Sequence, residues 1–359
     1  MCNNLQRKKT VLIDGSYGEG GGQILRTAVT LSAITQQSIK ISNIRARRKN
    51  PGIRPQHIGS IQIVASLCNA NVKGLHIGST EVLFQPQKIK PSSLIYDVGS
   101  AGSLTLLLQA VIPVASMAHT KSVFQLKGGT DVKWSPSLDY FSQVYIPILK
   151  ELGYQVNVKV QRRGFYPKGG GILDVEIKSA NRLFPINLLN YEKKPVHVYS
   201  VSSLLSHDVA TRQLNAALDK LNSYKIPLLN TLVKEEKAIS PGTALTIFSV
   251  HNKSHFLGAD SLGERGKPAE KVGIEAAERF ISEWLSNSTV DSHLADMLVV
   301  PLSLAEGSSI LRISNITNHL KTNLYITSLL TGCKYKFETR SGATNLVLNP
   351  ELNNKELFK

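Results

Sequence analysis

The sequence predicts an α/β protein of the α+β kind, built from repeated units with a smaller α/β unit inserted between two of them. Three observations carry this. A pattern of apolar helix, β-rich strand, second helix and two further strands recurs three times along the chain. The tetrapeptide ISNI falls at the same place in two of those units, at 41–44 and 313–316. The segment 185–287 breaks the order.

In the first unit, apolar recurrence at helical spacing predicts a helix over 23–34 and a second over about 55–69. Runs of β-formers predict strands over 38–44, about 72–77 and 81–85. The second unit repeats the order: helix 103–118, strand 122–126, helix about 137–152, strands 155–160 and 172–177. The third has HLADMLVVPLSLA from His293, a strand at 310–316, a helix at about 319–330, and strands near 334–338 and 345–348. The interrupting segment reads as a helix at 207–221, a strand at 244–250 and a helix at 268–285. A fourth, diverged repeat is disfavoured because its element order differs. The expected division is a large domain of 1–184 and 288–359 with a small α/β domain, 185–287, inserted.

The chain has 359 residues, 42% of them hydrophobic, and a mean hydropathy of −0.07, enough apolar material for one large core or two domains. Low-complexity disorder does not fit. A formal charge of +16 and a sequence pI of about 9.7 favour a polyanionic partner, most simply nucleic acid, over a basic surface that serves solubility alone. Cys2, Cys68 and Cys333 are odd in number and share no metal-ligand spacing, which fits a reducing, cytoplasmic setting. The first residues hold no apolar signal core, and the most apolar stretch, 104–118, carries Thr105 and Gln109 and is too short for a bilayer, so no membrane is expected. The polar run ending NNKELFK is expected to fray. Nothing in the sequence fixes an oligomeric state.

The most informative stretch is DGSYGEGGGQILRTA, from Asp14 to Ala28. Gly18, Gly20, Gly21 and Gly22 let the backbone approach a ligand closely, and the helix start that follows offers unpaired N–H groups to an anion. Glu19 is the odd residue. A carboxylate in an anion-binding loop repels phosphate unless a divalent cation lies between them, so Glu19 reads as a metal ligand toward a nucleotide; otherwise it is a solvated residue in a strand-to-helix turn. No Walker lysine follows, against an ordinary P-loop NTPase.

Further candidates lie along the chain. NIRARRKNPGIRPQH packs Arg45, Arg47, Arg48, Lys49 and Arg54 between a strand end and a helix start, where guanidinium forks match phosphate oxygens. Pro51, Gly52 and Pro55 stiffen that loop, which would otherwise be a solvated basic run, and Gln56 and His57 open the next helix. DVGSAGSLTLLLQ is the second unit's small-residue loop; Gln109 on its apolar helix is either a ligand contact or a core amide bonded to backbone. RGFYPKGGG reads as a glycine-rich hairpin from which Arg163 and Lys168 are able to face RNA. His293 and Asp296 share a helix face, and Asp296 in an apolar stripe needs a partner. His319 follows the helix-capping residues Thr317 and Asn318, where the helix field favours a neutral imidazole suited to attack on phosphorus; otherwise it is a surface or capping residue of that helix start.

Jointly these residues resemble the RNA 3'-terminal phosphate cyclase family, from Asp14 to about Glu338, through GEGGGQILR, IRARRKNPGIRPQH, GSAGS with its downstream glutamine, GGTD, RGFYPKGGG, HLAD and NHLKTN. The resemblance implies three repeats of a four-stranded sheet with two helices, plus an inserted α/β domain. It implies an enzyme that takes AMP from ATP onto a histidine, here His319, passes it to an RNA 3'-phosphate, and releases AMP as the 2'-hydroxyl closes a 2',3'-cyclic phosphate. It further implies Glu19 as ligand of a divalent cation, Mg2+ or Mn2+. Nucleotide contacts are implied at Arg26, Arg45, Arg48, Gln56, His57, Gln109, Pro136, His293, Asp296 and Met297. Where relatives commonly read LADQ this chain reads LADM, so Met297 removes an amide near the nucleotide.

Two other classes compete. A non-catalytic RNA-binding scaffold for ribosome biogenesis shares the fold but has no need for His319, Glu19 and Arg48 together. A small-molecule transferase of the enolpyruvyl type leaves the +16 charge and the histidine without a purpose.

Overall fold

The computed structural model describes residues 10–340 and 343–352, the side chain of Arg340 excepted. Cys2 and the terminal NNKELFK run lie outside the described residues.

The first unit runs β1 (Val11–Asp14), α1 (Gly22–Thr35), β2 (Ile39–Ser42), α2 (Pro55–Leu67), β3 (Asn71–Lys73), β4 (Val82–Gln85). Its sheet has the order β1-β2-β4-β3, with β1 and β2 parallel and the other pairs antiparallel. The second unit repeats this with β5 (Ser93–Asp97), α3 (Leu104–Ala115), β6 (Ser122–Gly128), α4 (Leu138–Tyr140), α5 (Ile146–Glu151), β7 (Gln155–Arg162) and β8 (Gly171–Lys178), in the order β5-β6-β8-β7. A π-helical turn, Phe141–Tyr145, joins α4 to α5, so the single helix expected at 137–152 is present with one wide turn in it.

Next come β9 (Asn187–Leu188), β10 (Val196–Ser203), α6 (Val209–Ser223), β11 (Leu228–Glu235), β12 (Gly242–His251), β13 (His255–Leu262) and α7 (Ala269–Leu285). The third unit closes the chain with α8 (Ser292–Ser303), β14 (Ser309–Ile313), α9 (Asn318–Thr331), β15 (Lys334–Arg340) and β16 (Ala343–Asn349). Its sheet is β15-β16-β14-β9, the same order read backwards. Strand β9, inside the segment expected to be inserted, is therefore the third unit's first strand, paired in parallel with β14. Strands β10 to β13 form a fourth sheet, β11-β10-β12-β13, where the sequence showed one strand.

The expected strands at 38–44 and 72–77 are shorter than predicted. Asn43 takes φ 53 and ends β2; Gly74 takes φ 78 and ends β3. Strands alternate, as in β6, where Ser122, Phe124 and Leu126 are buried and Val123 is exposed. Helices α1, α3, α8 and α9 are buried on most sides, and Leu31, Val64, Leu108, Val111, Leu298 and Leu324 join the three units in one core. A second core holds Val198, Leu245, Ile247 and Leu257 against Ala276, Phe280 and Trp284.

Asp291 ties the parts together. It caps α8 by accepting from the Leu294 N–H, and also accepts from Tyr140 Oη at 2.7 Å and from the Gly258 N–H at 2.9 Å. Loss of hydration holds its carboxyl up at about 7. Arg163 is buried, bonding Asp131 and Asp139 rather than facing outward, while Lys168 is exposed. The RGFYPKGGG hairpin is thereby anchored to the GGTD turn. Among the described residues, Cys68 and Cys333 are buried free thiols, and no helix is long and apolar enough to cross a membrane.

Candidate active site

Strand β1 ends at Asp14, whose carboxylate accepts from the Ser16 N–H and hydroxyl and turns the chain into the glycine loop. Gly18, at φ +59, lies so close to α9 that a Cβ on it would stand 2.2 Å from Thr322 Oγ1. Helix α1 then starts at Gly22 with Gly21 as its cap, no capping side chain and no acid in its first turn, leaving its first N–H groups open to an anion. A Cβ on Gly22 would fall 2.1 Å from His57 Nε2, so glycine is what lets that ring lie against the helix start.

His57 is the third residue of α2, and its Nδ1 accepts from the Arg54 N–H at 3.1 Å. The neutral ring thus carries its proton on Nε2, which has no partner among the described residues. Burial, then Arg26, Arg45 and Arg54, push its pKa down to about 3. Three guanidinium groups thus bear on one uncharged ring. Arg26, half-buried on α1, has its pKa lowered to about 10 by loss of hydration and no carboxylate partner among the described residues. Arg45, at φ 56 in the basic loop, likewise has none; burial, Arg48 and Arg54 lower its pKa. The region is a well of positive charge with few internal counterions, which a bound polyanion would neutralise.

His319 enters from the other side. Thr317 caps α9, its hydroxyl accepting from the Leu320 N–H at 2.8 Å, and this puts His319 in the first turn. Its Nε2 lies 3.1 Å from Glu19 Oε2, and the same oxygen is 3.4 Å from Arg48. Burial lowers the His319 pKa against the raising effect of Glu19, and Arg26, His293 and Arg48 lower it further, so the imidazole is neutral near pH 7.

Beneath this junction Asp296 accepts from the Thr317 hydroxyl, and burial raises its carboxyl to about 7. Asn323 donates to the Asp296 carbonyl at 2.7 Å and accepts from Thr27 at 2.8 Å, joining α8, α9 and α1. Arg26, Gln109, Asp296, Met297 and Asn323 line a narrow cleft of about 30 Å³. Gln109 Nε2 is buried there without a partner among the described residues.

The structure thus gathers Glu19, Arg26, Arg48, His57 and His319 around the glycine loop, with Gln109, Asp296 and Met297 in the adjoining cleft. His293 is exposed on the first turn of α8, while Asp296, three residues on, points inward. Gln56 is exposed on α2 and packs against Gly102 of the second small-residue loop. Pro136 lies on the loop before α4, its carbonyl accepting from Thr105. Sequence reasoning missed Thr27, Thr322 and Asn323; the signal was two adjacent polar residues in the buried stripe of α9.

Glu19 alone is no metal cage, and no cluster of three ligating side chains occurs among the described residues. One carboxylate fits a cation that takes its other ligands from phosphate oxygens and water, the usual manner of Mg2+.

A repeat-built α+β enzyme with a cationic, histidine-bearing site is the class these features define. The family model for RNA 3'-terminal phosphate cyclase matches residues 17–337. Curated relatives named RNA 3'-terminal phosphate cyclase include those of Pyrococcus abyssi, 39% identical over 92% of this chain and 96% of the relative, and Methanosarcina barkeri, 41% identical over 92% and 97%. That of Methanopyrus kandleri is 40% identical over 88% and 91%. The chain belongs to the RNA 3'-terminal phosphate cyclase family.

Proposed function

We propose that this enzyme converts an RNA 3'-phosphate to a 2',3'-cyclic phosphate at the expense of ATP, with His319 carrying AMP between the two. The carrying observation is the meeting of His319 with Glu19 and Arg48 at the mouth of an open helix N-terminus. A scaffold that only binds RNA leaves that junction without a purpose.

The neutral imidazole of His319 supplies a lone pair that attacks the α-phosphorus; the nitrogen–phosphorus bond forms as the bond to pyrophosphate breaks. Arg26, Arg45 and Arg48 face the charge that gathers on the phosphates, and the N–H groups of α1 take a share of it. Glu19 would hold a divalent cation, Mg2+ or Mn2+, which withdraws charge from the triphosphate when bound. In the second step an oxygen of the RNA 3'-phosphate displaces the histidine. In the third the neighbouring 2'-hydroxyl gives up its proton to solvent and attacks the phosphorus of the RNA 3'-phosphate, AMP departs as its bond to that phosphorus breaks, and proximity favours the closure. In this reading Gln109 and Asp296 would meet the nucleoside. We further infer that the inserted unit begins after Leu188, since β9 serves the third sheet. Free thiols and an RNA substrate suit a cytoplasmic setting.

The test is incubation with α-labelled ATP and a divalent cation, then denaturing electrophoresis. Label stays on the chain, is lost in acid and kept in alkali as a phosphoramidate requires, and is absent from His319→Ala. A labelled His319→Ala protein would sink this reading.

A further inference from the structure

Three consecutive loop residues touch three residues of α9 in reverse order. Glu19 meets His319 at 3.1 Å, Gly18 rests on Thr322, and the Tyr17 ring stacks on Tyr325 with centroids 4.1 Å apart and planes at 26°. The helix residues recur at intervals of three and so form one ridge, inclined to the helix axis. The loop lies along that ridge, and only its last contact carries the chemistry.

Each contact has a separate physical basis. The Gly18 contact is steric: the missing Cβ sets how closely the loop approaches, and Thr322 is fixed by its hydroxyl bond to the Asn318 carbonyl at 2.7 Å. The Glu19 contact is electrostatic and shared with Arg48. The tyrosine stack is the apolar one, two residues before Glu19 in the loop. Neither ring has a core role: Tyr17 is 42% exposed and Tyr325 37%. A ring stack is lost as the loop slides along the helix, the motion that would carry Glu19 away from His319.

We propose that Tyr17 and Tyr325 are positioning residues, a stacked latch that fixes the glycine loop along α9 and so holds the Glu19 carboxylate in register with the His319 imidazole. This rests on the functional reading above for its kinetic arm only. Alignment of the loop matters most when the phosphorus is being attacked, so loss of the latch lowers the rate at saturating ATP more than it weakens ATP binding.

The experiment compares the parent chain with Tyr17→Ala, Tyr325→Ala, Tyr17→Phe and Tyr325→Phe. Single-turnover transfer of label from ATP to protein is measured across ATP concentrations, alongside amide hydrogen exchange of residues 17–22 without nucleotide. Each alanine variant is expected to transfer at saturating ATP on the order of tenfold more slowly, with half-saturation changed by less than about twofold. Each phenylalanine variant is expected to match the parent, since the ring and not the hydroxyl makes the stack. Exchange at 17–22 is expected to quicken in the alanine variants alone. Parental transfer rates in both alanine variants overturn the latch, and so does a loss that phenylalanine fails to restore. Should the parent itself take no label, the functional reading falls and exchange decides the latch: quickened by alanine it stands, unchanged it falls.

Discussion

Asp296 and Thr317 are joined by a hydrogen bond from hydroxyl to carboxyl, so the floor of the cleft is tied to the cap of the helix that presents His319. The carboxyl is raised to about 7, first through burial, while an unfolded aspartate titrates near 3.8. Below about pH 3 both states are protonated and the group costs nothing. As pH rises toward 7 the unfolded chain ionises first, and folding loses up to about 4 kcal/mol, fully so above pH 7. Asp296→Asn, which still accepts from Thr317, is therefore expected to be more stable than the parent at pH 8 and equal to it near pH 3. Urea unfolding at the two values checks this; a difference independent of pH contradicts it.

Arg26 is a half-buried cation without a carboxylate partner among the described residues, and the proposed function gives it a phosphate as counter-charge. Replacing it with methionine removes that unbalanced charge. Arg26→Met is expected to unfold no earlier than the parent, with about 1 kcal/mol of added stability, while half-saturating ATP rises by about tenfold or more. Thermal melting and the labelling assay read the two effects; a destabilised variant with unchanged ATP dependence speaks against the site.

Gly22 faces His57 with no room for a methyl group. Because the ring is held at Nδ1 by the Arg54 N–H, it does not swing aside freely. Gly22→Ala should cost about 1–3 kcal/mol in urea unfolding, and adding His57→Ala should recover part of it. Additive losses would mean that the two do not share that space.

Glu19→Ala should keep the fold and lose adenylate transfer by about a hundredfold, with the residual transfer indifferent to the divalent cation. Chelation should silence the parent. Circular dichroism and a Mg2+ titration of the labelling reaction decide it, and an unaltered Mg2+ requirement removes the ligand role.

Much of the architecture was legible because helices α1, α3 and α9 are long enough for apolar periodicity to stand out. Strand β9 was not: two residues have no period, and only pairing with β14 makes them a strand. Strand β11 escaped for another reason, since all eight of its residues are exposed and it lacks the alternation of a half-buried strand. At the site, Glu19, the arginines and His319 were legible as chemically odd residues. Arg163 misled: an arginine in a glycine-rich hairpin looks solvent-facing, yet Asp131 and Asp139 enclose it. Tyr17 and Tyr325 were invisible, because nothing local tells a tyrosine which distant ring it will meet.

The pairing of β9 with β14 also orders events during synthesis. Ile186 and Ser309, bonded beside that pairing, stand 123 positions apart. A nascent chain can finish its first two sheets from neighbouring sequence, but the strand that opens the third must wait, one edge unclaimed, until everything between has left the ribosome. The helix bearing His319 follows later still, so a ribosome stalled within the intervening segment would carry the glycine loop without the helix it lies against.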